Sequence, residues 1–137
     1  MIWKDEYALG IEEIDNQHET LLEFITEFEK AVEGRAHWNT VQPLMTRARE
    51  CVKFHFAVEE SLMQIVGYPR FVAHRADHQH VLEQFAILEQ RILREEMKGE
   101  LLPLVHSWLY HHNIESDKPF ARYAIGKRAD LGRAGAE

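Results

Sequence analysis

Six polar side chains occupy positions where helical spacing calls for apolar ones: His18, His55, Glu59, His74, His78 and His112. Each lies in a run of apolar residues recurring every three or four positions, the period of one helix face. The first stripe is Ile14, His18, Leu21, Ile25, Phe28 and Val32. The second is Ala48, Val52, His55, Glu59, Leu62 and Val66. The third runs Phe71, His74, His78, Val81, Phe85, Leu88, Ile92, and the fourth Leu101, Val105, Trp108, His112. A lone core histidine ordinarily just hydrogen-bonds, and HxxxE or HxxxH spacings arise by chance. Six such residues on four inward faces need a shared partner, because an uncompensated buried charge costs on the order of 3–5 kcal/mol. A metal is such a partner, since it takes neutral imidazole and carboxylate as ligands.

The elements that must position these residues are four helices, at about 16–33, 41–66, 70–95 and 101–117. Asn16 with Glu19 reads as a capping box and Gly34 as a stop. Asn39 or Thr40 caps the second helix, with Pro43 in its first turn, and GYP at 67–69 ends it. Pro103 falls in the first turn of the fourth helix, and Pro119 ends that helix because the residue before a proline disfavours helical dihedrals. No strand-like alternation competes. Short loops between comparable helices predict an all-α, up-down-up-down antiparallel four-helix bundle. An N-terminal arm, 1–15, brings Trp3, Tyr7 and Leu9 across it, and 118–137 forms a short C-terminal helix or tail. The whole of 1–137 is expected to be one domain. In such a bundle the start of helix one meets the end of helix two, the start of three and the end of four. All six polar residues therefore fall toward one end.

A further carboxylate, Asp117, lies five residues after His112. That spacing is turned by about 140° on an ideal helix, so Asp117 converges only if the helix loosens there or the side chain reaches back; spacing alone leaves it open. Five histidines and two carboxylates exceed what one metal needs. Two octahedral metals offer twelve positions. The imidazoles fill five, two bridging carboxylates four and a bridging oxide or hydroxide two, which leaves one open. Such a ligand set suits iron better than four-coordinate zinc.

Composition narrows the function. The net charge is −7, which argues against broad binding to nucleic-acid phosphates. Lys127, Arg128 and Arg133 read as a solvated tail. The single cysteine, Cys51, excludes an internal disulfide and a CxxC motif. No apolar run approaches a membrane span, and the N-terminus lacks a signal core, so the expected compartment is the cytoplasm.

With these residues in place, the chain resembles the hemerythrins, and more closely the single-domain bacteriohemerythrins. The resemblance rests on WKD at the start, GIEEIDNQH at 10–18, HFAVEESLM at 55–63, YPRFVAHRADH at 68–78 and WLYHHNIESDK at 108–118. It implies a non-haem di-iron centre that binds O2 reversibly. Carried over by position, one iron takes His74, His78 and His112; the other takes His18 and His55 and keeps the open site. Glu59 and Asp117 bridge the two iron ions together with an oxo or hydroxo group. Leu109 would line the O2 pocket, with Trp108, Phe56 and Ile114 as candidate wall residues. His37, His80, His106 and His111 fall outside the motif.

The resemblance implies an O2-binding protein for storage, transport or delivery, not an enzyme, with an unidentified protein as the expected acceptor of the O2. The alternatives are a di-iron peroxidase, oxidase or nitric-oxide-consuming enzyme, and an O2 or redox sensor using the same site. No acid or base falls beside the open position on the motif faces, which ranks the enzyme second. Ferritin-like iron oxidation is disfavoured because the chain has no Glu-x-x-His.

Overall fold

The computed structural model describes residues 5–94 and 115–136. Among them are a short 3-10 turn, Asp5–Tyr7, and four helices: α1 (Glu12–Glu33), α2 (Trp38–Val66), α3 (Phe71–Leu93) and α4 (Lys118–Ala136). There is no strand among the described residues. The expected helix at 101–117 lies almost wholly outside them.

Helix α1 starts four residues before the expected capping box. Its N-cap is Ile11, which offers no side-chain cap. Asp15, in the first turn, reaches back to the incoming segment instead: its carboxylate accepts from the N–H of Leu9 at 2.7 Å and of Gly10 at 3.2 Å. Glu12, Glu13 and Asp15 also place negative charge at the positive end of the helix dipole. Gly34 ends α1 as expected, donating its N–H to the Lys30 carbonyl, while the Arg35 N–H takes that of Val32. Helix α2 likewise begins early, at Trp38. The His37 ring, rather than Asn39 or Thr40, caps it by accepting from the Asn39 N–H. Pro43 consequently sits inside the helix instead of at its start. Gly67 closes α2 in the left-handed region, φ 67°, with its own N–H on Gln64 and that of Tyr68 on Met63. A residue with a Cβ pays roughly 1–2 kcal/mol for that conformation, so glycine lets the chain reverse within four residues into α3.

Packing shows the antiparallel arrangement. One apolar cluster gathers Phe28 from the end of α1, Val41 and Met45 from the start of α2, and Leu88 from late in α3. A second gathers Ile11 and Ile14, Met63 from the end of α2, Tyr68, and Phe120, Ala121 and Ala124 of α4. Helix α4 is the expected C-terminal helix, longer than expected. It spans 19 residues and buries Phe120, Ala121 and Ala124. Pro119, expected as a terminator, stands in its first turn, where a missing N–H leaves no helical bond unmade. Lys127 and Arg128 are solvated, but on a helix. Tyr7 of the arm is buried against the first cluster, as expected; Trp3 lies outside the described residues. No described helix is long and apolar enough to cross a membrane.

Because Asp15 anchors the incoming segment through two N–H groups, Asp15→Ala is expected to cost about 1 kcal/mol. Thermal unfolding at fixed metal loading should show a melting temperature about 3–5 °C lower. An unchanged midpoint would mean water replaces the carboxylate at no cost.

Candidate metal centre

Between the two apolar clusters lies a polar layer. His18 stands between Ile14 of one cluster and Leu21 of the other. His55 and Glu59 stand between Val52 and Met63. His74 and His78 stand between Tyr68 and Val81. Asp117 immediately precedes α4, and its main-chain carbonyl accepts from the Ala121 N–H. It therefore occupies the N-cap position of that helix, yet its side chain turns into the layer instead of capping. Asp117 reaches the cluster from the turn that leads into α4. All six groups are buried, with His55 and Glu59 at 0 % exposure and His74, the least covered, at 6 %.

The four described imidazoles all present Nε2 inward. His18 Nε2 lies 3.1 Å from His55 Nε2 and 3.2 Å from Asp117 Oδ2. His55 Nε2 is 3.2 Å from Glu59 Oε2. Across the layer, His74 Nε2 is 2.7 Å from Glu59 Oε1 and 3.0 Å from Asp117 Oδ1, and His78 Nε2 is 3.2 Å from Glu59 Oε1. Two overlapping groups result: His18, His55, Glu59 and Asp117, and Glu59, His74, His78 and Asp117, with each group's donor atoms within 4.8 Å of one another. Glu59 and Asp117 belong to both.

These contacts are close but not hydrogen-bonded throughout. Neither oxygen of Glu59 nor Nε2 of His78 has a hydrogen-bond partner in the structure. Two ring nitrogens facing each other at 3.1 Å need something positive between them, a proton or a metal, because two lone pairs repel. Imidazole nitrogens and carboxylate oxygens that converge with three of these inward atoms left unpaired are what a shared pair of cations would satisfy, so the donor set fits metal. Protons do the same work in the metal-free chain. Burial opposes charge on His55, but Asp117 and Glu59 overrule it and raise the ring to about 9. The same balance raises His74 to about 10. Burial likewise pushes Glu59 up, and His55, His74 and His78 more than reverse this, holding it well below the usual carboxylate range.

The outer sides of the rings are also held. His55 Nδ1 meets Gln17 Oε1 at 2.9 Å, and His78 Nδ1 meets Glu60 Oε2 at 3.2 Å. Sequence reasoning passed over both. Their only signal is adjacency to His18 and Glu59, which puts them at the rim of the inward face. Phe56, a candidate wall residue, stacks on His78 with ring centroids 3.8 Å apart and planes at 5°. A cavity of about 220 Å3 opens beside His74, lined by Tyr68, Arg70, Ala73, Asp77, Ser116 and Pro119. It lies away from His18 and His55, the side expected to stay open. His112, Leu109, Trp108 and Ile114 lie outside the described residues. His37 caps α2 and His80 is exposed, so neither joins the cluster; His106 and His111 fall in the same undescribed stretch.

Comparison with known proteins agrees with this arrangement. The family model for the hemerythrin HHE cation binding domain matches residues 9–124. A bacteriohemerythrin of Clostridium acetobutylicum is 27% identical over 125 residues, covering 87% of this chain and 97% of that protein. One of Pseudomonas aeruginosa is 30% identical over 118 residues, covering 85% of this chain and 76% of that protein. Among solved structures, wild-type hemerythrin superposes with a TM-score of 0.81 at 24% identity, over 90% of this chain and 97% of that one. That likeness establishes the fold, an all-α four-helix bundle. A family match across most of the chain, joined to a buried histidine–carboxylate layer in that bundle, makes this chain a member of the hemerythrin family.

Proposed function

We propose that this chain binds O2 reversibly at a non-haem di-iron centre held by His18, His55, Glu59, His74, His78, His112 and Asp117. The observation that carries the reading is the double membership of Glu59 and Asp117. Each carboxylate has one oxygen toward His74 and the other toward the His18–His55 pair, the disposition of a bridge between two cations. The family match and the bacteriohemerythrin relatives support the same reading. Storage, delivery and transport are all compatible with such a site.

A bound pair of irons supplies redox-active cations with a free coordination position for a small ligand. The chain's own part is to build and guard that place. Glu59 and Asp117 set the separation of the two positions, because each spans both groups. His18 and His55 supply the sparser side, where fewer imidazoles leave room. Gln17 and Glu60 fix the rings of His55 and His78 with Nε2 inward. The apolar clusters above and below the layer exclude bulk water, which protects an oxidisable site from solvent attack. Phe56 closes the layer against His78 from the side of the larger cluster. Leu109 is the proposed contact for O2 itself.

The decisive experiment reduces the iron-loaded protein anaerobically, admits O2 and then removes it while the visible spectrum is followed. A charge-transfer band that appears and reverses is expected, with about two irons per chain. Irreversible oxidation with release of peroxide would replace the carrier reading with a redox enzyme or sensor, and a chain holding no iron would sink all three. Glu59→Ala is expected to lose both irons, because one carboxylate serves both positions, whereas His111→Ala keeps them. Loss of iron in His111→Ala instead would place the wrong face of that segment inward.

Proton linkage gives an independent check. Metal uptake must displace the protons held by His55 and His74, so apparent affinity rises with pH toward 9 to 10. Anaerobic titration with Fe2+ near pH 7, in two buffers of different ionisation enthalpy, should release about two protons, one from each ring. Stability of the metal-free chain runs the other way. The folded-state values of both rings lie above their ordinary 6.5. Their stabilisation is therefore complete below about pH 6.5 and lost as pH rises through 9 to 10. Glu59, held low, contributes above the ordinary carboxylate range and loses its contribution in acid. A metal-free melting temperature that climbed steadily from pH 7 to pH 10 would contradict this.

A further inference from the structure

The two rings with an outer hydrogen bond are braced by different chemistry. His55 Nδ1 meets the amide oxygen of Gln17, a neutral acceptor. His78 Nδ1 meets the carboxylate of Glu60, an anionic one. An ionised carboxylate only accepts, so the Glu60 contact is made through a proton on His78 Nδ1, which leaves Nε2 to serve as the donor toward a metal in the layer. The braces also cross between helices. Gln17 precedes His18 on α1 but serves a ring of α2, and Glu60 follows Glu59 on α2 but serves a ring of α3. The remaining ring on the first side, His18, has its Nδ1 buried with no hydrogen-bond partner in the structure. One position therefore has an anion behind its ligand shell. The other, among the described residues, has none.

We infer that Gln17 and Glu60 are positioning residues that make the two metal positions electronically unequal. This rests on the two-iron reading. Glu60 draws on the Nδ1 proton of His78, makes the ring a stronger donor and favours the higher oxidation state of the iron that His78 holds. Gln17 orients His55 equally well but adds no charge, so the iron of His18 and His55 holds its ferrous form more readily. The asymmetry favours ferrous iron on the side that the proposed function leaves open. The Glu60 side chain is 23% exposed, so water attenuates the effect without removing it.

The test uses the full chain loaded with iron, as Glu60→Gln and Gln17→Glu, in an anaerobic redox titration with a one-electron chemical reductant. Both variants keep the shape of the brace and change only its charge. Each is expected to retain two irons. Glu60→Gln should move the ferric–ferrous equilibrium of one iron about tenfold toward ferrous, about 59 mV for one electron. Gln17→Glu should move the other iron in the opposite direction by a similar factor. Variants that hold two irons and leave both equilibria in place would overturn the inference, as would two variants shifting the same iron the same way. A parallel readout needs no iron chemistry. In the chain loaded with zinc alone, nitrogen NMR should show the His78 Nδ1 proton exchanging faster in Glu60→Ala than in the parent, with His55 unaffected. Equal exchange in both overturns the positioning role. If the parent itself fails to hold two irons, the di-iron reading falls, and the zinc measurement still decides what Glu60 does.

Discussion

Two carboxylates buried among imidazoles need positive charge between them, and most of the structure follows from that need. Glu59 is fully buried and Asp117 nearly so. Removing such groups from water costs several kcal/mol each, roughly, unless a cation lies close. The chain meets the need with protons when no metal is present, which is why His55 and His74 hold theirs so far above the ordinary imidazole range. Metals in the same place would replace those protons. The cluster is thus a site for positive charge before it is a site for a particular ion. Its geometry selects among ions through the number and type of donors.

The helices are arranged so that this layer interrupts the core without exposing it. Each of α1, α2 and α3 carries apolar residues on both sides of its polar positions, and these fall into separate clusters above and below. The split has a cost in continuity of packing. The second cluster is small and recruits Phe120, Ala121 and Ala124 of α4 to close it. That helix also delivers Asp117, whose backbone begins the helix while its side chain leaves for the cluster. The positive end of the helix dipole then lies at a carboxylate, a favourable pairing. Gly67 has a comparable role on the other connection. By reversing the chain tightly after Met63, it places His74 opposite Glu59.

The polar layer was legible in the sequence because helical periodicity is a strong signal and six violations of it coincide. His18, His55, Glu59, His74 and His78 all converge as their spacing implied. Helix ends were less legible, for an identifiable reason. Asn16 and Glu19 spell a capping box, but Asp15, one residue earlier, takes the N–H groups of Leu9 and Gly10, and the chain begins its helix sooner. His37, outside the ligand motif and exposed, accepts from the Asn39 N–H through its ring and starts α2 before Asn39 or Thr40 can. Pro119 was read as a stop. A proline ends one helix and begins another equally well, and only the burial of Phe120 and Ala124 distinguishes the two outcomes. Gln17 and Glu60 were illegible because a hydrogen bond to the outer edge of a ring follows from tertiary packing of two helices, not from periodicity within one.

The outer bonds also explain how a cluster so crowded with like groups keeps one arrangement. Facing ring nitrogens such as those of His18 and His55 repel unless their protons and lone pairs are placed in order. A ring free to flip could offer Nδ1 inward as readily as Nε2. Gln17 and Glu60 remove that freedom for His55 and His78, and the face-to-face stack of Phe56 on His78 removes more of it. His18 lacks an outer bond, so among the described residues its orientation is held by His55 and Asp117. Order therefore passes inward from the braced rings to the unbraced one. The shared carboxylates can hold both groups in register only because those rings are already fixed. On this argument the preorganisation of the site lies in neutral and anionic acceptors at its edge, while the residues at its centre supply charge and donor atoms.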